Sequence, residues 1–446
     1  MVECHSTITT LLGQQHAICP HRRTRLQVKQ PDVQLKQRRK REMRGETSVD
    51  LSPMAWEDED VDSGEEKAGS DDDSEASVLA RKQGSILDAC RRRDIDNLQV
   101  LAVSRGGFLS DAIRRQAWPV LLGFHVDLHG ELRGVSDSWK QLERHRDEDQ
   151  VKLDVDRSFV YYPNDDTPSE LDQKKSELSD LITEVLRRQP YLCYFQGYHD
   201  ICQVFLLVLP QTARATAVAR LSALRIRDFM LPSLAPAVAQ LRLIPDILNA
   251  VDRPLCAHLS RTEPYFALSD TLTMFAHNVQ QYGDIARLFD ALLAREQVFT
   301  LYIFAQIVLC RRDELFEHDE PDMLHFALSK LPQDLDLDAV INDAAALFRD
   351  HPPESLGNWH TSITSSSALK TAREVPVCAT QTLEDGRVFF EKQQSELQWA
   401  ARRDQALKTM WANRTVIFAA VVAVSAVYFR KSPVWADLAS WSGLSS

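Results

Sequence analysis

The sequence predicts an all-α protein: one large multi-helical domain, then a separate C-terminal segment. Two apolar repeats and one missing pattern predict it. Leu178, Leu181, Ile182, Val185 and Leu186 recur at the spacing that lines one face of a helix, and Ile285, Leu288, Phe289, Leu292 and Leu293 repeat that spacing. Two-residue alternation of strand type, with hairpin turns such as Asn-Gly between the runs, is missing. With 446 residues, 44% of them hydrophobic and 26% charged, the chain can build a sizeable core.

Residues 1–80 read as a disordered tail, basic and then acidic. Lys36-Gln37-Arg38-Arg39-Lys40-Arg41 is followed by an acid block running from Glu57 to Glu75 with a single base, Lys67. Such blocks bury too little apolar surface to offset chain entropy. The basic run fits a solvated tail, a nuclear signal or a contact with anionic lipid. The net charge of -12 argues against a nucleic-acid partner. None of the 8 cysteines forms a C-x-x-C pair, and no His/Cys cluster has zinc-ligand spacing, so no metal site is expected and the thiols read as reduced.

Residues 82–352 keep helical spacing almost throughout and read as one all-α domain. Val298 to Leu309 is apolar nearly all round but too short to span a bilayer, which predicts a helix buried in a large core. The Ser/Thr-rich stretch 354–383 reads as a linker, and 384–412 as a charged helix. Residues 415–431 read as a C-terminal membrane anchor, a single helix. Its uncharged part, Thr415 to Phe429, is short for a span, and Arg414, Arg430 and Lys431 flank it as snorkelling bases. Trp435 and Trp441 beyond it suit an interface. Arg402, Arg403, Lys408 and Arg414 outweigh Arg430 and Lys431, which puts the main domain in the cytosol. A core helix is the rival reading of this segment.

Two short stretches carry candidate chemistry. One holds Val151, Asp154 and Arg157; the other runs Tyr194-Phe195-Gln196-Gly197-Tyr198-His199-Asp200. Alone, an Asp three residues before an Arg reads as a surface ion pair, and a Gln between aromatics as a hydrogen-bonded amide at a helix start. Cys193 beside His199 and Asp200 could suggest a nucleophile with a base, but nothing further in the sequence supports it. His318, Asp319, Glu320 and Asp322 read as a solvated acidic loop.

Together the two stretches resemble the TBC-domain Rab GTPase-activating proteins. That family carries I-x-x-D-x-x-R, matched by Val151, Asp154 and Arg157 with valine for isoleucine, and Y-x-Q-G, matched by Tyr194, Gln196 and Gly197. Gly107, Ile113-Arg114 and Ala117-Trp118 resemble the family's opening pattern, and Arg287-Leu288-Phe289-Asp290 a later block. Tyr194 to Asp200, the Leu331-Pro332-Gln333-Asp334-Leu335 segment and the C-terminal anchor look most like the ER-anchored member-20 subfamily. Met274 departs, standing where tryptophan is expected between Thr273 and Phe275.

The resemblance implies an enzyme activator with no reaction of its own. Arg157 and Gln196 would be supplied in trans to a Rab-family GTPase in its GTP form, with Asp154 holding Arg157 and with Tyr194 and Gly197 shaping the loop that presents Gln196. Arg114, Trp118, Arg287 and Asp290 would be domain-motif residues. No G-x-x-x-x-G-K-[ST] motif occurs, and GTP and magnesium would arrive on the partner, leaving no cofactor of this chain's own. The subfamily implies the ER membrane and the GTPase of ER-to-Golgi traffic. A catalytically inactive Rab-binding adaptor is the alternative.

Overall fold

The structure is a computed structural model that describes residues 75–125, 137–163 and 166–431. Most of the tail expected to be disordered, up to residue 74, lies outside the described residues, as does everything after Lys431. Its last residues are not tail: helix α1 (Glu75–Arg92) has already begun. The chain divides into two units, 5–78 and, with the first four residues, 79–446; all the candidate residues lie in the second.

Every described regular element is a helix or helical turn. From α1 the chain runs through α2 (Ile95–Val103), α3 (Asp111–Leu121), α4 (Glu148–Val155) and α5 (Pro168–Arg188). The last starts sharply because Thr167 and Glu170 form a reciprocal capping box with Pro168 at the first helical position. It buries the five residues that the spacing picked out, from Leu178 to Leu186. α6 (Tyr198–Val208) crosses the core, buried on nearly every side, and α7 (Gln211–Arg220) follows with one π-helical turn, Leu221–Arg225, at its end.

The middle of the domain adds α8 (Ala235–Leu241), α9 (Leu243–Val251), α10 (Arg253–Leu259) and α11 (Leu268–Leu272). Then come α12 (Tyr282–Ala294), α13 (Phe299–Cys310), α14 (Arg312–Leu315), α15 (Pro321–Leu328) and α16 (Leu337–Asp350). α12 buries Ile285, Leu288, Phe289, Leu292 and Leu293 on the expected face. α13 is the expected core helix, packed on α16, α9 and α11. Trp118, Phe205 and Phe289, with centroids 5.5 to 6.0 Å apart, join α3, α6 and α12 at the centre.

The stretch 354–383 is not a linker. It contains α17 (Gly357–Thr361), α18 (Ala368–Thr371) and α19 (Val375–Thr380), and it buries Leu356, Trp359, Ile363, Leu369, Val375 and Cys378. Its serines serve as partners of buried charge. Asp228 accepts from the Ser367 hydroxyl and the Ala368 N–H, and Arg227 donates to the Ser366 carbonyl at 2.5 Å. α20 (Leu383–Ala412) docks by Phe390 and Gln393 and then leaves the domain, with all of its residues from 401 on exposed.

The anchor expectation is corrected in part. α21 (Arg414–Lys431) is a helix, as expected. Among the described residues, however, no single helix is long and apolar enough to cross a membrane. Only the pair α20–α21, bent by 67°, meets that test, and by length and composition alone. The uncharged run is short because Arg414 and Arg430 close it at its two ends.

Candidate functional site

The site is assembled where α4 ends beside the start of α6. Asp154 lies in the last turn of α4 and is wholly buried, whereas the Arg157 side chain is 65% exposed. Arg157 and Ser158 continue the turn, their N–H groups donating to the Asp154 and Val155 carbonyls at 3.1 and 3.0 Å. Arg157 Nη2 then donates back to Asp154 Oδ1. The same oxygen accepts from Gln150 Nε2 at 3.1 Å, and Oδ2 accepts from the Tyr194 hydroxyl at 2.9 Å. A buried carboxylate is costly without partners, and here three donors surround it. The consequence for Arg157 is orientation: one terminal nitrogen of its guanidinium is held by Asp154 while the side chain as a whole stays exposed.

Tyr194 links this carboxylate to the glutamine loop. Burial pushes its phenol well above the ordinary tyrosine value, with Asp154 adding in the same direction, so it stays a donor. Its N–H donates to Asp147 at 2.9 Å, which fixes the loop at its other edge. Two residues on, Gln196 is half-buried and its side chain makes no hydrogen bond among the described residues. Gly197 follows at φ +98°, capping α6; a Cβ there would sit 2.6 Å from Thr273 Cγ2. Only glycine fits both the backbone and the gap.

That neighbour belongs to the turn after α11. Met274 and Phe275 are both in the left-handed region, at φ +51° and +66°, and both are fully buried. Met274, the departure from the family pattern, is therefore a core residue of the turn that backs the Gln196 loop. His277 in the same segment shares Asp200 with His199, at 2.9 and 3.2 Å. The hydrogen bond to Asp200 raises the affinity of His277 for a proton, and the charge of Arg157 opposes the rise.

Arg114, Trp118, Arg287 and Asp290 are not part of this site. They form a buried polar knot holding α2, α3 and α12. Asp290 accepts from Arg114 Nε and Trp118 Nε1 at 3.0 and 2.9 Å and from the Phe108 N–H at 3.0 Å. Arg287 donates to the Ala102 and Val103 carbonyls at 2.8 and 3.0 Å. Gly107 runs so close that a Cβ would sit 2.6 Å from Asp290 Oδ2.

A nucleophile reading of Cys193 finds no geometric support. The thiol accepts from Arg146 at 2.9 Å, and the two ring nitrogens of His199 face Tyr194 and Asp200.

The Rab-GTPase-TBC domain model matches residues 111–316, which span both stretches. The GTPase-activating protein gyp10 of Schizosaccharomyces pombe is 32% identical over 326 residues, covering 72% of this chain and 86% of that protein. This chain belongs to the TBC-domain family. TBC1 domain family member 20 of Bos taurus is 35% identical over 266 residues, 59% of this chain and 65% of that protein. The crystal structure of the Ypt/Rab-GAP domain of Gyp1p aligns over 60% of this chain and 99% of its own, at 14% identity and a TM-score of 0.46.

Two features of this TBC domain were missed in the sequence. Phe159, two residues after Arg157, sits at φ +62°, and its N–H donates to the side chain of Gln203 at 3.0 Å. Gln203 is the only polar residue of the run Ile201 to Val208, and that contrast was the available signal.

Proposed function

We propose that the protein accelerates GTP hydrolysis by a Rab-family GTPase in its GTP form, supplying Arg157 and Gln196 in trans. The observation that carries this reading is an exposed guanidinium gripped by a wholly buried carboxylate, beside an amide with no hydrogen-bond partner among the described residues. Hydrolysis builds negative charge on the γ-phosphate and the leaving oxygen. A guanidinium placed there is worth about 10³–10⁵ in rate. An amide can accept from the attacking water and donate to phosphate, so a free one suits the second role. Nucleotide and magnesium are carried by the GTPase.

The resemblance to the member-20 subfamily implies the GTPase of ER-to-Golgi traffic as substrate and the ER membrane as location, and the excess of basic residues before Thr415 favours a TBC domain facing the cytosol. α21 supports the membrane part, since Val416, Phe418, Val421, Val424 and Val427 are all exposed on it. Apolar side chains on every side of a helix call for an apolar surround.

Single-turnover GTP hydrolysis on a Rab panel tests the catalytic reading. Arg157→Ala removes most of the acceleration, and Arg157→Lys fails as well, because a point charge cannot replace a planar fork. Gln196→Ala lowers kcat more than apparent affinity. A full rate in Arg157→Lys sinks the arginine assignment. Rab binding without any rate increase in the unmodified protein identifies an adaptor instead.

A further inference from the structure

We propose that Gln203 is a positioning residue that latches the loop carrying Arg157 onto the helix that presents Gln196; this rests on the reading of Arg157 given above. The loop leaves α4 at Asp156 and must turn sharply, because Phe159 is a bulky residue in the left-handed region yet buried. Such a backbone conformation is disfavoured for a bulky residue and persists only where its surroundings hold it. Gln203 provides that hold. Its Oε1 accepts from the Phe159 N–H at 3.0 Å, and its Nε2 donates to the Tyr162 carbonyl at 3.4 Å. One side chain, 4% exposed, thus ties both ends of the segment that follows Arg157.

The place of Gln203 in the chain gives the latch its consequence. It lies on α6, two helical turns beyond Gln196. Arg157 is therefore fastened on both sides to the structure that carries Gln196. Before it, Asp154 takes the Tyr194 hydroxyl at 2.9 Å. After it, Phe159 is held by Gln203. The guanidinium has no direct contact with Gln203 and keeps its own exposed reach. What Gln203 fixes is the origin of that reach relative to the amide. A misplacement of about 1 Å at such a point can cost about 10²-fold in rate with little effect on ground-state binding.

Gln203→Leu keeps the bulk and removes both hydrogen bonds. Gln203→Met also removes both hydrogen bonds but keeps the unbranched shape and adds no charge, so it serves if the leucine variant folds poorly. Each variant, with Arg157→Ala beside it, is measured three ways on the Rab that responds in the panel. These are single-turnover rate, affinity for the GTPase loaded with a non-hydrolysable GTP analogue, and affinity for the GTPase loaded with GDP and aluminium fluoride. A latch predicts that Gln203→Leu lowers the rate and the aluminium fluoride affinity together, by about 10- to 100-fold, while the GTP-analogue affinity stays within about threefold. Gln203→Met is expected to behave like Gln203→Leu.

A purely structural role lowers all three readouts in step with the folded fraction, and that result overturns the latch. An unchanged rate in both variants overturns it too. If Arg157→Ala loses the aluminium fluoride complex and Gln203→Leu keeps it, the latch alone fails. If Arg157→Ala keeps that complex and its rate, the arginine reading fails, and the latch with it.

Discussion

Asp270 shows what a single buried group does to this domain. It is wholly buried on α11; Oδ1 accepts from Asn278 Nδ2 at 2.8 Å, and Oδ2 has no partner. Burial pushes its carboxyl from 3.8 up to about 7, while Asn278 and His277 pull against the rise. Between those two values the folded protein holds a proton that the unfolded chain has released. Stability therefore falls as pH rises from about 4 to about 7 and is level above that. Asp270→Asn keeps the contact with Asn278 and never ionises. It is expected to raise the melting temperature by a few degrees at pH 8, with the gain shrinking to nothing near pH 4. Melting curves across that range check it, and a constant offset would assign the effect to packing instead. The strained pair Met274 and Phe275 lies just beyond, so the same substitution is also a probe of the turn behind Gln196.

At the scale of elements, Arg227 and Asp228 join parts of the chain far apart in sequence. Asp228 accepts from Gln240 and Gln393 at 2.9 Å each, besides Ser367 and Ala368; Arg227 reaches the 366–371 segment, and its guanidinium lies 5.2 Å from the Phe389 ring centroid. Removing the carboxylate strands several buried donors at once. Asp228→Ala is expected to cost about 3–5 kcal/mol and to open 361–372 and the start of α20 to limited proteolysis. Denaturant unfolding and the position of the first cuts test it; cuts confined to 401–412 would mean that the hub holds nothing. The same elements mark where the sequence could be read. α5 and α12 were legible because their burial follows helical spacing. Asp154 and Arg157 were legible because a local i, i+3 pair is visible in the chain. The 354–383 stretch was misread because Ser and Thr signal a loop by composition, whereas here they answer charges more than a hundred residues upstream. Gln203 was overlooked for a related reason: its partners are two backbone groups, which have no signature in sequence.

For the whole molecule, the test is to separate catalysis from location with two truncations. The first removes everything after Met410. α20 is buried at Phe390 and Gln393, but each residue from 401 to 412 is exposed, so this cut takes nothing from the domain. The shortened protein is expected to be soluble and to keep its rate with a GTPase in solution. In cells it should leave the membrane fraction and lose much of its effect on a membrane-bound Rab, because tethering raises the local concentration of both partners. The second cut, after Thr380, also removes Phe390 and Gln393. It takes a donor from Asp228 and uncovers the Tyr191 ring, whose centroid lies 5.0 Å from that of Phe390. Uncovering that surface while leaving buried polar groups unpaired should destabilise the domain by several kcal/mol and favour aggregation. Solubility, melting temperature and single-turnover rate of the two forms decide between the possibilities. Carbonate-resistant membrane association of the first form would move the anchor elsewhere. Loss of its solubility or rate would make α21 part of the core, and normal behaviour of the second form would mean that α20 does not belong to the folded domain.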